Sequence, residues 1–206
     1  MFDQSLTPSS GGPVCIYIDD SNVAIRGRAM HDPQGTLTPW NYDIDVLANI
    51  IIQQFDLTAI EPFVQKSLNF YGADLHRSPQ LDHLRGLGLV YGCDSPRNGH
   101  GHEKQADVAL ATDMTEQAKH ALDFGIARDF VLVSGDSDFI PAVRKVLGYG
   151  FNVHVWAWRR SLSSEFYRLK QDFEDNCVPG LGQMRIHFLE SHLHQLTRSP
   201  ESDAML

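Results

Sequence analysis

Apolar residues recur along the chain in short solid blocks, separated by longer stretches in which they fall on one helical face. Residues 14–18 (VCIYI), 130–133 (FVLV) and 151–156 (FNVHVW) are nearly unbroken apolar runs, predicting strands buried on both faces. Residues 67–73 (SLNFYGA) and 88–92 (GLVYG) are two more short strands, flanking a helix around Leu81 and Leu84. Between these blocks lie helical patterns. In residues 41–55, Ile44, Val46, Leu47, Ile50, Ile51 and Phe55 keep close to i, i+3, i+4, i+7 spacing. Residues 103–124 are rich in good helix formers, 139–147 form a helix stopped by Gly148 and Gly150, and 161–173 are amphipathic. Residues 184–189 read as an edge strand. Residues 95–102 (SPRNGHGH) have no period and read as a loop.

Solid apolar strands alternating with helices of ten or more residues predict a three-layer α/β/α sandwich around a mainly parallel sheet. One domain over residues 13–190 accounts for the pattern, with a flexible lead-in at 1–12 and a polar tail at 191–206. At 206 residues, 42% hydrophobic and 21% charged, the chain has enough apolar material for one full core, which excludes a disordered or collagen-like protein. Met1 to Gly12 has neither a basic start nor an apolar stretch, and no apolar run reaches the roughly 20 residues of a bilayer span. The expected location is therefore intracellular, cytoplasmic or nuclear. Cys15, Cys93 and Cys177 show neither Cys-x-x-Cys nor zinc-finger spacing and read as buried or incidental thiols. With 26 acidic against 17 basic residues the formal charge is −9, so a polyanionic partner needs a local basic patch or a metal ion.

In parallel sheets ligands collect beyond the carboxyl ends of the strands, and there this sequence places acids. The first strand runs into Asp19-Asp20-Ser21-Asn22 and the 130–133 strand into Ser134-Gly135-Asp136-Ser137-Asp138. The helix after the loop opens with Lys104-Gln105-Ala106-Asp107 and continues to Asp113. Each Asp or Ser taken singly could be a helix cap or turn residue. Acids at three junctions, without cysteine, suit an oxygen-ligated hard cation, Mg²⁺ or Mn²⁺, with substrate phosphate as co-ligand. That chemistry is metal-assisted hydrolysis of a phosphodiester. Asp107 and Asp113 stand about 120° apart in azimuth and about 9 Å along the axis, so they are not expected to share an ion; Asp107 is the better ligand.

The segments 14–22, 104–114 and 131–143 together resemble the NYN domain of the LabA-like (DUF88) group, within the PIN-like nuclease superfamily, over roughly residues 13–173. The resemblance implies a PIN-like fold and a Mg²⁺- or Mn²⁺-dependent endoribonuclease. In it Asp19, Asp107 and Asp136 match the main acidic positions, and Asn22, Asp113, Ser134 and Asp138 match secondary ones. Asp20 stands where the family usually has a small residue, and the fourth acid of many PIN-like enzymes has no clear match.

From the residues themselves, Asp19 and Asp136 are expected to hold the metal from adjacent strand ends and Asp107 to complete the cluster or orient the attacking water, with Asn22 and Ser134 positioned to brace a carboxylate or meet a phosphate oxygen; the resemblance adds Asp138 to the candidate metal ligands. Lys104 stands one helical turn before Asp107. For a single-stranded RNA partner, the candidate basic groups are Arg26 and Arg28, Arg97 beside His100 and His102, and Arg159 and Arg160 after Trp156 and Trp158. The alternatives are an NYN module that binds RNA or protein with little turnover, and a DNA-directed nuclease. A haloacid-type phosphatase fits poorly because Ser21 stands where that chemistry wants an acid, and no Gly-x-Gly-x-x-Gly follows the first strand for a dinucleotide. A homodimer and further protein partners are both compatible with the sequence.

Overall fold

The computed structural model describes residues 14–32, 34, 40–55, 66–73, 75, 78–86, 90–94, 104–176 and 179–198. The elements are β1 (Val14–Asp19), α1 (Asp20–His31), α2 (Ile44–Ile52), β2 (Lys66–Gly72), α3 (Pro79–Gly86), β3 (Val90–Asp94) and α4 (Lys104–Asp123), followed by β4 (Asp129–Val133), α5 (Ile140–Gly148), β5 (Val153–Ala157), α6 (Ser164–Asn176), β6 (Met184–Phe188) and α7 (Leu193–Leu196). Short 3₁₀ turns at Ser137–Phe139 and Leu189–His192 lead into α5 and α7.

Among the described residues the sheet is six-stranded in the order β3-β2-β1-β4-β5-β6, and every pairing in it is parallel. The sandwich expected from the sequence is therefore present, with a wholly rather than mainly parallel sheet. Chain order reverses direction between β1 and β4, where Val14 to Ile18 pair with Asp129 to Val133. Loops leaving two such neighbours turn to opposite sides and leave a crevice at their carboxyl ends. The strands owe their solid apolar sequences to burial on both faces. Ile16, Ile18, Val131 and Val133 pack under α1, α2, α3 and α7 with Val23, Leu47, Ile51, Leu81 and Leu196. Tyr17, Phe130, Leu132 and Val155 pack under α4, α5 and α6 with Leu110, Met114, Val143, Val146 and Phe166.

The structure departs from the sequence reading in three places. A helix, α1, follows β1 directly, although only Val23 and Gly27 of it are buried. Gly27 is needed for close approach, because a Cβ there would lie 2.1 Å from the Trp40 ring. The helices expected at 41–55 and 161–173 run instead at Ile44–Ile52 and Ser164–Asn176, their starts set by an Asp43 cap on Val46 N in the first case and a turn over residues 159–163 in the second. The expected tail at 191–206 does not begin at 191. The chain crosses back over the sheet through α7, Leu196 is fully buried, and Thr197 bridges Tyr42. Among the described residues no helix is long and apolar enough to cross a membrane. Cys15 is a buried thiol, as expected; the side chains of Cys93 and Cys177 lie outside the described residues.

At the β5–β6 edge His154 and His187 share a ring-nitrogen hydrogen bond of 3.1 Å, and His154 packs against Phe55. Burial, then His187 and Arg185, push the His154 imidazole down to about 3, and burial and Arg185 lower His187 too. As pH falls below the ordinary imidazole value of about 6.5, the unfolded chain takes up protons that the folded chain refuses, so this stability is present above 6.5 and lost toward 3. The slope is at most about 1.4 kcal/mol per pH unit for each imidazole. Urea unfolding at pH 7.5, 6 and 5 should show a steeper loss of stability for the wild type than for His154→Asn.

Candidate functional site

The site grows out of the turn from β1 into α1. Asp19 ends β1 and caps α1, its Oδ1 accepting from the Asn22 backbone N–H at 3.1 Å and from the Ser21 hydroxyl at 2.9 Å. Its other oxygen, Oδ2, accepts from the Ser134 hydroxyl at 2.9 Å. Ser134 follows β4 directly, so this bond closes the crevice between the two central strands. The Ser134 oxygen also accepts from Asp136 N at 3.2 Å, and the Asn22 side-chain oxygen accepts from Gly135 N at 3.4 Å. Asp136 caps the next turn through Asp138 N at 3.0 Å. The ordinary capping roles considered from the sequence are thus real for Asp19 and Asp136, and capping is what fixes both carboxylates at the mouth of the crevice.

Asp19 is only 6% exposed, and its pKa is raised. Burial is the chief cause, and the Asp136 charge adds to it, against lowering by the Asn22, Ser21 and Ser134 hydrogen bonds. Two carboxylates close enough to feel each other, one of them buried, form a locus that a cation would relieve. Asp20, beside Asp19, accepts from the Tyr42 hydroxyl at 2.7 Å and opens on a cavity of about 430 Å³ shared with Asn41, Ser78, Gln80 and Arg198. Asp138, beside Asp136, opens on a wider cavity of about 790 Å³ lined also by Asp107, Thr112, Ser137 and Lys145.

The sequence candidates therefore separate. Asp19, Asn22, Ser134 and Asp136 form one hydrogen-bonded centre. Asp107 and Asp138 face a common cavity at its flank, α4 packing beside α5 in a way that strand-end reasoning could not give. Among the described residues no group of three or more His, Cys, Asp or Glu stands ready to hold one ion. The convergence of Asp19, Asp107 and Asp136 expected from the sequence is thus not preformed. Asp113 accepts from the Tyr71 hydroxyl at 2.7 Å, tying α4 to the end of β2. Lys104 opens α4, but its side chain lies outside the described residues, as do Arg97, His100 and His102.

Among the basic candidates, Arg26 and Arg28 are exposed on α1, and Arg159 and Arg160 are exposed on the turn after β5. That turn lies against the site. Ser163 N donates to Gly135 O at 2.9 Å, and a Cβ on Gly135 would come within 2.6 Å of Ser161 O. Trp156 and Trp158, read from the sequence as possible stacking groups, are both buried, and Trp158 donates its indole N–H to Val23 O at 3.1 Å. Sequence reading missed Tyr42, Arg198 and Lys145. Nothing local marks them, since each reaches its cavity through tertiary packing.

An all-oxygen donor set with one buried and one exposed carboxylate suits a hard cation that keeps waters and takes phosphate as co-ligand, as Mg²⁺ does with one or two carboxylates. It does not make a closed cage. The Ser134 hydroxyl, already donating to Asp19 and accepting from Asp136, braces the centre. The search of curated proteins and the search of solved structures each returned no match. A family model for the NYN domain matches residues 13–177, a span holding β1 to β5, both acidic turns and α4. The chain belongs to the NYN domain family, a family of PIN-like nucleases.

Proposed function

We propose that this chain is a Mg²⁺- or Mn²⁺-dependent endoribonuclease acting on single-stranded RNA, akin to the LabA-like (DUF88) group of NYN proteins. The observation that carries this reading is the buried Asp19 carboxylate, held by Ser134 across the β1–β4 crevice within electrostatic reach of Asp136. When bound there, a divalent cation supplies Lewis-acid polarisation of the scissile phosphate and favours in-line attack by water. Asp19 and Asp136 hold it, with Ser21, Asn22 and Ser134 fixing the Asp19 carboxylate so that both oxygens keep their direction. Asp107 and Asp138, across the adjoining cavity, are placed to orient water or to complete the ligand set once substrate is bound. Arg160 and Arg159, on the turn packed against Gly135, meet the RNA backbone beside the centre, and Arg26 and Arg28 extend the basic surface along α1. Lys104 and Arg97, whose side chains lie outside the described residues, are further proposed RNA contacts on the ground of the sequence alone.

Purified protein should cut a single-stranded ribo-oligonucleotide internally when Mn²⁺ or Mg²⁺ is added and stop when EDTA is added, with a DNA oligonucleotide of the same sequence competing poorly. Equal cutting of DNA would move the assignment to a DNA-directed nuclease.

The formal charge of −9, which disfavours a polyanionic substrate, favours a second reading, an RNA- or protein-binding NYN module with little turnover. It requires a gel shift of the same oligonucleotide with no product at any metal concentration. A homodimer is compatible with either reading.

A further inference from the structure

The cavity of about 790 Å³ between α4 and α5 contains a lysine, Lys145, to which the cleavage reading gives no role. With every strand pairing parallel, both helices start at the carboxyl ends of the strands and run back toward the amino ends. Their first turns therefore stand at the acidic centre. The centre also faces this layer, because Asp19 and Ser134 continue the alternation of Tyr17 and Leu132, whose side chains lie in the core beneath α4 and α5. The walls of the groove are one face of each helix. Asp107, Ala111 and Thr115 follow one another at i+4 along α4 and span about 12 Å, while on the other wall Lys145 lies about 10 Å beyond Asp138, with Pro141 between them.

Charge is ordered along this groove. Two carboxylates, Asp107 and Asp138, stand at the end by the centre, the hydroxyls of Thr112 and Thr115 follow, and the Lys145 ammonium stands at the far end. Lys145 is exposed and makes no ion pair among the described residues, although its neighbour Arg144 meets Asp172 at 3.4 Å, and Lys119 and Lys170 pair with Asp123 and Glu174. A ligand must answer both ends. Free phosphate is opposed at the mouth by Asp107 and Asp138, and a bare cation at the far end by Lys145. A chain that carries phosphates at intervals answers both, one phosphate joining a metal ion at the mouth while another reaches the ammonium. Val108, 66% exposed, and Pro141 line the same walls and give sugar and base faces an apolar surface. Helices packed side by side stand about 8–10 Å apart, so the cleft between them admits one strand rather than a duplex.

We propose that the α4–α5 groove is the track along which the RNA strand runs from the acidic centre, and that Lys145 binds the phosphate of a nucleotide beyond the cleaved bond. This rests on the reading of single-stranded RNA as substrate, and because the contact is to the backbone, it selects single strands rather than a sequence.

Binding of a labelled single-stranded RNA is followed by anisotropy on the full chain carrying Asp136→Asn, in Mg²⁺, so that the strand is held but not cut. Adding Lys145→Ala should weaken binding about three- to tenfold, and the slope of log affinity against log salt should fall by about 0.7, the share of one single-strand phosphate. Lys145→Arg should keep both, and Lys119→Ala, whose ammonium is already engaged by Asp123, should change neither. In the otherwise wild-type chain Lys145→Ala should raise KM by the same factor and leave kcat in place, as loss of uniform binding does. That loss should vanish on a dinucleotide, which is too short to reach from the centre to Lys145. An unchanged slope and KM in Lys145→Ala, or an equal loss on the dinucleotide, overturns the groove. A lowered slope with no cleavage by the wild type keeps the groove and removes the ribonuclease. Cleavage with an unchanged slope does the reverse, and RNA neither bound nor cut overturns both.

Discussion

Asp136→Asn should abolish RNA cleavage, lowering the rate by at least about 10²-fold, the scale on which loss of a group stabilising transition-state charge is felt. It should leave the fold intact. Asp136 is exposed, and the one bond its side chain makes among the described residues, accepting from Asp138 N, is available to the asparagine oxygen. Removing its charge also removes one cause of the raised Asp19 pKa, so unfolding stability should change by no more than about 0.5 kcal/mol or rise slightly. Cleavage kinetics and a denaturation curve measured on one preparation check both parts. Unchanged cleavage would trace the activity to a contaminant or to a different centre.

Trp158→Ala should do the opposite, striking stability first and activity only as a consequence. Its indole is 1% exposed, meets the Trp40 ring edge-on at a centroid distance of 6.1 Å and donates to Val23 O. Truncation leaves a large cavity and takes from the Val23 carbonyl the donor it has besides the helical ladder, a cost of about 3–5 kcal/mol in the range for buried aromatic-to-alanine changes. Because Val23 adjoins Asn22, the start of α1 should loosen with it, and the Asn22 contact to Gly135 should weaken. Urea unfolding should show the full loss, with residual cleavage recovering as temperature is lowered. A variant as stable as the wild type would mean that the β5–α1 tie contributes little to holding the site.

These contrasting variants follow from how the fold assembles the centre, and they show what a sequence can and cannot disclose. The strands of the sheet were legible because burial on both faces leaves no room for polar alternation, as in Phe130 to Val133. The acids at the ends of β1 and β4 were legible because a parallel sheet places its loops predictably. Helix α1 was not, since a helix that buries only Val23 and Gly27 prints no apolar stripe. The return of the chain through α7 was half-visible in Leu189, Leu193 and Leu196, spaced i, i+4, i+7, yet the polar residues around them masked it. Asp107 was placed on the correct helix, but its facing depends on how α4 is rotated against α5, which side-chain packing decides. The bonds from Tyr42 to Asp20 and from Tyr71 to Asp113 have no local signature at all.

The central claim is that Asp19 and Asp136 hold one divalent cation at the β1–β4 crevice. Calorimetric titration of the full chain with Mn²⁺ at neutral pH, with and without a short single-stranded RNA, tests it most directly. The account requires one saturable site that tightens when RNA is present, disappears in Asp19→Asn and is weakened in Asp136→Asn. No uptake at millimolar Mn²⁺ even with RNA, or uptake undiminished in Asp19→Asn, would contradict it.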